Sequence, residues 1–490
     1  MNASSPKAKF PDAVQKLIAT GYDFNYSRHF ILTVKDASQA RLFLQKLCND
    51  RWLVRAHEDR AMVSQRFDNA RCPLSLGLTF AGMQKLGMEE RLLDVMREKA
   101  PAFTEGASAR AEKRLGDFGA SAAGKWEAGF KPETAHLLLI LHADNSRQLA
   151  AAQSQLEKLA GKKAFAMTWH PHDAEHLNKT PANRLVHFGM RDGLSNPKIL
   201  PEPPGPGEKP DPVHNSHRLG EFVLGYDGND VPNPWRLAAE RPESTGVPVA
   251  DQSRALADFF KNGSFAAFRK IEQDEPKFRD FVQKKAETLR GKYTLAQAEA
   301  FIRAKLLGRW DDSRVVQADD TMANDTKSSI ENCPAGTADF DFAGDQAGRG
   351  CPFGSHIRRM NPRDDTVVPI RRRPILRRGM PYGKTYIDGD ANSAKEERGL
   401  LGLFFCASLE HQFEHLVGQW ANDTPMGTNN RGNARDPLIG QNDPARHVYD
   451  IPLSDTATLA LRGLEPFVTT KGTLYAFFPS LSAIQQLADR

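Results

Sequence analysis

The side chains most able to do chemistry cluster in Cys351-Pro352-Phe353-Gly354-Ser355-His356-Ile357-Arg358-Arg359-Met360-Asn361-Pro362-Arg363, where one histidine stands beside three arginines. An imidazole can ligate iron through one nitrogen when the other is hydrogen-bonded, which orients the ring and makes it electron-rich. Arg358, Arg359 and Arg363 could meet carboxylates by paired, charge-assisted hydrogen bonds. A second segment, Gly189-Met190-Arg191-Asp192-Gly193, sets a carboxylate between glycines that let the backbone bend tightly and present it. Asp192 could take a proton from one oxygen of a peroxide and deliver it to the other. Arg377 or its neighbour Arg378 supplies a cation that stays charged when partly buried and can stabilise charge on a departing oxygen. Spacing alone does not choose between these two arginines.

Each of these residues also has a plain structural reading: a hydrogen-bonded histidine, an Asp-Gly turn, a salt-bridged arginine in a basic loop. Their combination favours an iron ligand, an acid–base carboxylate and an anion-stabilising cation. Two other histidine groups compete. His411-Gln412-Phe413-Glu414-His415 has the inverted spacing of a zinc peptidase, and Trp169-His170-Pro171-His172 with His176 could bind a metal. The first reads better as a helix packing face and the second as a polar loop. Neither accounts for the arginine-rich block. The five cysteines, Cys48, Cys72, Cys333, Cys351 and Cys406, contain no CxxC pair, which disfavours zinc fingers and cysteine-held iron–sulfur centres. Cys351, five residues before His356, is the alternative ligand in that segment.

The whole chain has 490 residues, 40% hydrophobic and 26% charged, as expected of a globular protein of two or three domains. No run approaches about 18 consecutive apolar residues, so no membrane span is expected. The first ten residues lack an apolar signal core, which makes the cytoplasm the default location, with specialised export or encapsulation left open. The net charge of +5, from 66 basic against 61 acidic side chains, gives no concentrated basic face for nucleic acid. The basic run Arg371–Arg378 reads as a solvated turn or an ion-pair network, since no aromatic platform accompanies it.

The elements that must position these residues follow from hydrophobic periodicity. His29–Val34 reads as a strand, followed by an Asp36-Ala37-Ser38 cap and a helix through Leu47. His136–Asp144, followed by a helix through Leu149 to Leu159, repeats that pattern. The recurrence suggests a βαββαβ unit, with a strand or turn leading into a helix at Leu76–Gly87 between the copies. Residues 89–129 look like a helical excursion, and Pro201–Gly207 marks a loop. Beyond it, a second half begins near Leu219–Tyr226. It holds a strand at Gly263–Arg269, helices at Lys277–Leu289 and Leu295–Leu307, and a strand-to-helix unit from Leu401–Cys406 into Leu409–Trp420. The long irregular stretch 311–350 is of the kind that is usually functional or mobile. The expected fold class is α+β, with two antiparallel-sheet domains covered by helices, at 20–215 and 216–490.

The chain resembles the dye-decolorising peroxidases. Gly189–Gly193 matches that family's glycine–two residues–aspartate–glycine signature, Cys351–Arg363 its proximal-histidine block, and Arg377-Arg378-Gly379-Met380-Pro381-Tyr382-Gly383 its distal-arginine block, where Arg377 is the arginine that aligns. Supporting segments in the same order cover most of the chain, and the insertions around 89–130 and 311–350 are similar to those of the larger bacterial and fungal members. The resemblance implies two ferredoxin-like domains and a haem b between or beside them. His356 would lie below the iron, with Asp192 and Arg377 above it. Met190 and Gly193 would flank the cofactor, and Arg358 and Arg359 would meet its propionates. It further implies hydrogen peroxide as oxidant and organic donors such as dyes or phenolics, oxidised by one-electron steps. Trp310, Tyr382, Tyr386 and Trp420 are candidate surface relays, and Glu410 and Glu414 are candidate partners for His356. A haem-handling or iron-release protein is the alternative function, and a homo-oligomer is compatible with the family. A carboxylate base has a lower reference pKa than histidine, so activity displaced toward acidic pH is expected.

Overall fold

The computed structural model describes residues 10–59, 61–63, 67, 72–166, 169, 171–179, 184–201, 209–228, 258–291, 293–316, 339–365, 372–422 and 432–490. His170, Cys333, Arg371, most of Pro201–Gly207 and the middle of the 311–350 stretch lie outside them.

The first half folds as β1 (Tyr26–Leu32), α1 (Ala37–Asn49), β2 (Leu74–Leu78), β3 (Leu137–Ala143), α2 (Ser146–Ala160) and β4 (Pro171–Glu175). Both helices start where the sequence offers a short polar cap. The Asp36 side chain accepts from Gln39 N–H, and Asn145, rather than the neighbouring Asp144, accepts from Gln148 N–H. Each cap is worth about 1 kcal/mol. β3 is buried along its whole length, so it reads as an unbroken apolar run instead of an alternation. The strands line up β4-β1-β3-β2, all antiparallel.

The second half repeats this plan with β5 (Ser264–Gln273), α3 (Glu275–Glu287), α4 (Leu295–Leu307), α5 (His356–Met360), β6 (Leu376–Arg377), β7 (Met380–Tyr382) and β8 (Gly399–Cys406). There follow α6 (Leu409–Trp420, wound as a π-helix), the hairpin β9 (Val448–Pro452) and β10 (Thr458–Arg462), β11 (Val468–Phe478) and α7 (Leu481–Ala488). Its sheet runs β11-β5-β8-β6, with β7 also on β8. Numbered within each half, both sheets have the order 4-1-3-2, the ferredoxin-like arrangement expected of the duplicated βαββαβ unit.

The two sheets join through the pairing of Phe477 in β11 with Leu78 in β2. At the opposite ends β4 lies against β7, where the Ser27 hydroxyl reaches Met380 Sδ at 3.5 Å. The combined sheet therefore curls toward a barrel. Side chains from both halves meet inside it: the His29 ring in β1 stacks on Phe268 in β5 with centroids 5.1 Å apart. The expected boundary at 215/216 passes through a local pairing, because Lys198–Ile199 runs parallel to Ser216–His217.

A second core lies outside the barrel. α3, α4 and the β9–β10 hairpin contribute Phe278, Phe301, Tyr449 and Leu461, and Phe188 and Leu438 also belong to it. Phe188 precedes the Asp192 loop and Leu438 follows Asp436, so this core props both sides of the site. No helix among the described residues is long and apolar enough to cross a membrane.

Candidate active site

His356 occupies the first turn of α5, and its position is set by how α4 ends. Gly308 terminates α4 with φ +99°, and a side chain there would strike Ile357 Cγ1 at 2.4 Å and Cys351 Sγ at 2.8 Å. Only glycine lets the histidine segment pack this closely against the helix end. Lys305 of α4 reinforces the contact by donating to the Gly350 carbonyl at 2.7 Å. The Tyr449 hydroxyl donates to the Lys305 carbonyl at 2.7 Å, and its ring lies over Gly354.

The imidazole is held by a partner that lay beyond sequence reasoning. His356 Nδ1 lies 2.9 Å from Asp436 Oδ2. A carboxylate only accepts, so Nδ1 carries a proton, and in the neutral ring Nε2 keeps its lone pair. Asp436 Oδ1 accepts from the backbone N–H groups of Leu438 and Ile439 at 2.9 and 3.0 Å. Burial by itself would raise the Asp436 pKa, but the His356 imidazole, its hydrogen bond, Arg359 and the Ile439 N–H outweigh burial and hold it below the usual value. The Asp436 side chain is 0% exposed and that of His356 28%, so one nitrogen is anchored inside while the ring's other edge is open.

Both carboxylates expected beside His356 are engaged elsewhere. Glu414 forms a two-pronged pair with Arg110 at 2.6 and 2.7 Å and accepts from Tyr475 at 3.0 Å. Glu410 accepts from the Ala102 backbone N–H. Each tethers the helical excursion to α6.

The arginines of the histidine block also need correction. Arg358 is buried and donates to Asp365 at 2.7 Å, to Asp345 Oδ2 at 3.1 Å and to the carbonyls of Cys351 and Asp345. Arg359 is fully buried and donates to the Trp420 and Ala434 carbonyls at 2.6 and 2.9 Å. Their guanidiniums brace the loops around α5 and do not offer an edge to a cofactor carboxylate. Arg363 lies over the Phe340 ring at 3.6 Å and donates to the Val213 and Phe340 carbonyls. Burial, then the charge of Arg309, pushes its pKa down to about 10. The alternative ligand, Cys351, is a buried thiol 2.8 Å from Ser355 Oγ, and burial raises its pKa to about 11. Such a thiol is a poor source of thiolate.

Asp192 is presented by a tight hairpin in which Leu185–Val186 pairs with Met190–Arg191. Phe188 at its turn adopts φ +76°, a strain of about 1–3 kcal/mol for a non-glycine residue. Its ring packs on Phe278 with centroids 4.5 Å apart, and the adjacent His187 Nε2 lies 2.8 Å from the Tyr382 carbonyl. Met190 packs at the margin of the second core. Gly193, at φ +82°, turns its N–H onto Asp192 Oδ1 at 2.7 Å.

Arg377 comes from β6 and meets Asp192 across 185 residues of chain, its Nε 3.2 Å from Oδ1. Oδ1 thus receives two donors, while Oδ2 has no hydrogen-bond partner among the described residues. The choice between the two arginines is resolved by their hydrogen bonds. Arg378 donates to the carbonyls of Leu17, Ile18 and Ala19, and burial followed by the Arg377 charge lowers its pKa to about 10. Arg378 fastens the N-terminal segment, and Arg377 faces Asp192.

The histidine side and the aspartate side are linked through Asn215. Its amide donates to the Ser195 carbonyl at 3.0 Å and accepts from Asn361 Nδ2 at 3.0 Å. Asn361 follows α5 and Ser195 follows Asp192 by three residues. Arg309 also donates to Ser195 Oγ at 2.7 Å. Asp192 and Arg377 are 33% and 29% exposed and His356 28%, so all three chemically capable side chains are open to a ligand, while Asp436 and Asn215 behind them are buried.

The competing histidine groups take other roles. The His415 ring meets the edge of Trp420, and His172 lies opposite His29 in the sheet. Among the described residues no three His, Cys, Asp or Glu side chains come together to hold a metal ion. Trp310, Tyr382 and Trp420 are buried and are not surface relays in this fold; Tyr386 is half-buried beside Arg279 and Arg398.

The donor set fits a haem. An imidazole with one anchored and one open nitrogen suits its iron.

Comparison with known proteins gives the family. Residues 20–169 match the family model described as DyP dimeric alpha+beta barrel domain, and residues 247–430 the model described as Dyp-type peroxidase, C-terminal. The chain is 27% identical to a dye-decolorizing peroxidase of Exidia glandulosa, covering 96% of this chain and 86% of the relative. It is likewise 27% identical to the multifunctional dye peroxidase DyP2 of an Amycolatopsis species, covering 99% and 97%. A solved dye-decolorizing peroxidase in complex with 2,6-dimethoxyphenol superposes with a TM-score of 0.74 at 24% identity, covering 97% of this chain and 98% of that one. The fungal DyP-type peroxidase of Auricularia auricula-judae gives 0.74 at 21% identity, covering 99% and 100%. With both halves matched in order and the whole length shared, this chain belongs to the dye-decolorising peroxidase family.

Proposed function

We propose that the protein is a haem b peroxidase that reduces hydrogen peroxide and oxidises dyes or phenolics by one-electron steps. The observation that carries the reading is the contact of Arg377 with Asp192, joined through Asn215 to the segment that bears the anchored His356. The dye-peroxidase relatives at 27% identity over nearly the whole chain support the same reaction class.

When bound, haem supplies the redox-active iron at which peroxide is split and from which donors are oxidised. His356 Nε2 would hold that iron, and Asp436 would keep the ring oriented and electron-rich. Asp192 Oδ2, the oxygen without a donor among the described residues, takes the proton from one peroxide oxygen and returns it to the other, while Oδ1 stays fixed by Gly193 and Arg377. The Arg377 guanidinium faces the charge that grows on the departing oxygen. A haem carrier or iron-release protein would need the His356 grip but has no use for the Asp192–Arg377 pair. The word "dimeric" in the N-terminal family description supports a homo-oligomer, which light scattering would test.

Absorption spectra of the haem-loaded protein test the main reading. A Soret band that changes on adding one equivalent of peroxide, and responds far more slowly in Asp192→Asn and Arg377→Ala, is expected. A colourless protein after reconstitution, or one that releases iron without peroxide, would overturn it.

A further inference from the structure

We infer that Asn196 is the positioning residue that sets the Asp192–Arg377 pair in register, and this rests on the peroxidase reading above. Arg377 lies on β6, the last strand of the sheet in its direction, so among the described residues no strand pairs with its other side. The Asn196 side chain occupies that side. Its Oδ1 accepts from the Arg377 backbone N–H at 2.9 Å, and its Nδ2 donates to the Arg377 carbonyl at 3.3 Å. A side-chain amide thus does for Arg377 what the peptide of an adjacent strand would do.

The same Nδ2 also donates to the Gly193 carbonyl at 3.3 Å, and the Asn196 backbone N–H reaches that carbonyl at 3.4 Å. Gly193 in turn holds Asp192 Oδ1 through its N–H at 2.7 Å. One amide therefore clamps the backbone of the guanidinium residue to the loop that carries the carboxylate. Asparagine suits this because a single planar group offers an acceptor and two donors. Aspartate would turn an acceptor toward two carbonyls, and alanine would leave the strand edge unpaired. Asn196 touches neither peroxide nor iron in this scheme and acts through Arg377 and Gly193. Displacement of about 1 Å in such a pair can cost on the order of 100-fold in rate.

A double-mutant cycle in the haem-loaded protein tests this, using Asn196→Ala, Arg377→Ala and the combination. Stopped-flow mixing with hydrogen peroxide reads the bimolecular rate of the Soret change. A cyanide titration followed in the same band reads ligand affinity without turnover, and melting of the haem-free protein reads the fold. Asn196→Ala should slow the peroxide step by roughly 10–100-fold and weaken cyanide several-fold. Resting spectrum and haem-free melting temperature should stay close to wild type. Once Arg377 is alanine, removing Asn196 should cost several-fold less than it does in wild type, because the register it sets matters most while the guanidinium is present. Losses that multiply in the double variant overturn the proposal, as does a fall in melting temperature that accounts for the lost rate. If Asn196→Ala does not fold, Asn196→Ser carries the same cycle; failure of both to retain haem makes Asn196 a folding residue and overturns the proposal too. A wild-type Soret band indifferent to peroxide defeats the parent reading, which is distinguishable because the variants are then never compared on rate.

Discussion

Asp436 lies 2.9 Å from Nδ1 of His356 although 80 residues separate them, and its carboxylate is wholly sealed from solvent. Sealed this way, its charge acts on the ring with little screening and gives the open nitrogen more electron density. Asp436→Asn keeps the shape and removes the charge. Haem affinity should fall by roughly 10–100-fold, and the iron reduction potential should rise as the histidine donates less. Haem transfer to apomyoglobin and a spectroelectrochemical titration measure these two effects. An unchanged potential would show that the pair only orients the ring.

Asp192 and Arg377 should fail differently from His356. Asp192→Asn removes the group that moves the proton, and the peroxide step should slow by roughly 10²–10⁴-fold. Arg377→Ala removes the charge stabilisation and one of the two donors to Asp192 Oδ1, and should cost roughly 10²–10³-fold. Both variants should keep their haem, whereas His356→Ala should lose it. Stopped-flow rates beside haem content per chain separate these cases. Haem loss in Asp192→Asn would place that residue among the binding groups.

The contrast between what was legible and what was not has a physical basis. The duplicated strand–cap–helix pattern and the three motif segments are local; they pointed to the fold class and to His356 and Asp192 as candidates, and the family resemblance added Arg377 over Arg378. Asp436 sits in Arg435-Asp436-Pro437, a segment with no periodicity, and only tertiary packing brings it to the histidine. Arg358 and Arg359 misled because adjacency to His356 says nothing about direction. Buried acceptors at Asp345, Asp365, Trp420 and Ala434 turn both away. β11, the strand that joins the halves, escaped because Lys471-Gly472 interrupts it. The register shifts there, and a side chain on Gly472 would strike the Phe130 ring at 2.2 Å. The uninterrupted Leu474–Phe478 run followed by the Ser480 cap was the usable signal.

Glu414 should behave as a structural residue. It is 4% exposed and is the partner of both Arg110 and Tyr475. Glu414→Ala leaves the buried Tyr475 phenol without its acceptor and Arg110 with only the more exposed Glu105, at a cost of about 2–3 kcal/mol. Denaturant melts should show that loss, while the Soret position and the peroxide rate of the folded protein stay as in wild type. A shifted Soret band with unchanged stability would return Glu414 to the neighbourhood of His356.

The barrel interior should make the protein sensitive to acid. Burial, then the charges of His142 and His172, holds the His29 pKa well below its ordinary value. Burial, then His176, lowers that of His142 to about 3, and burial, then Arg184, takes His176 to about 4. These rings are neutral in the folded protein, whereas in the unfolded chain they gain protons below about pH 6.5. The unfolded state then binds more protons, so stability is full above that value and declines as pH falls toward the folded pKa values. For His142, at about 1.4 kcal/mol per pH unit, the loss is roughly 2 kcal/mol at pH 5. His142→Phe keeps an aromatic ring against Tyr22, whose centroid lies 4.7 Å away, and removes the titrating group. Urea midpoints from pH 7 to pH 4.5 should fall less steeply in that variant than in wild type. Parallel declines would mean that His142 is already protonated in the folded barrel, and that the acid sensitivity has another source.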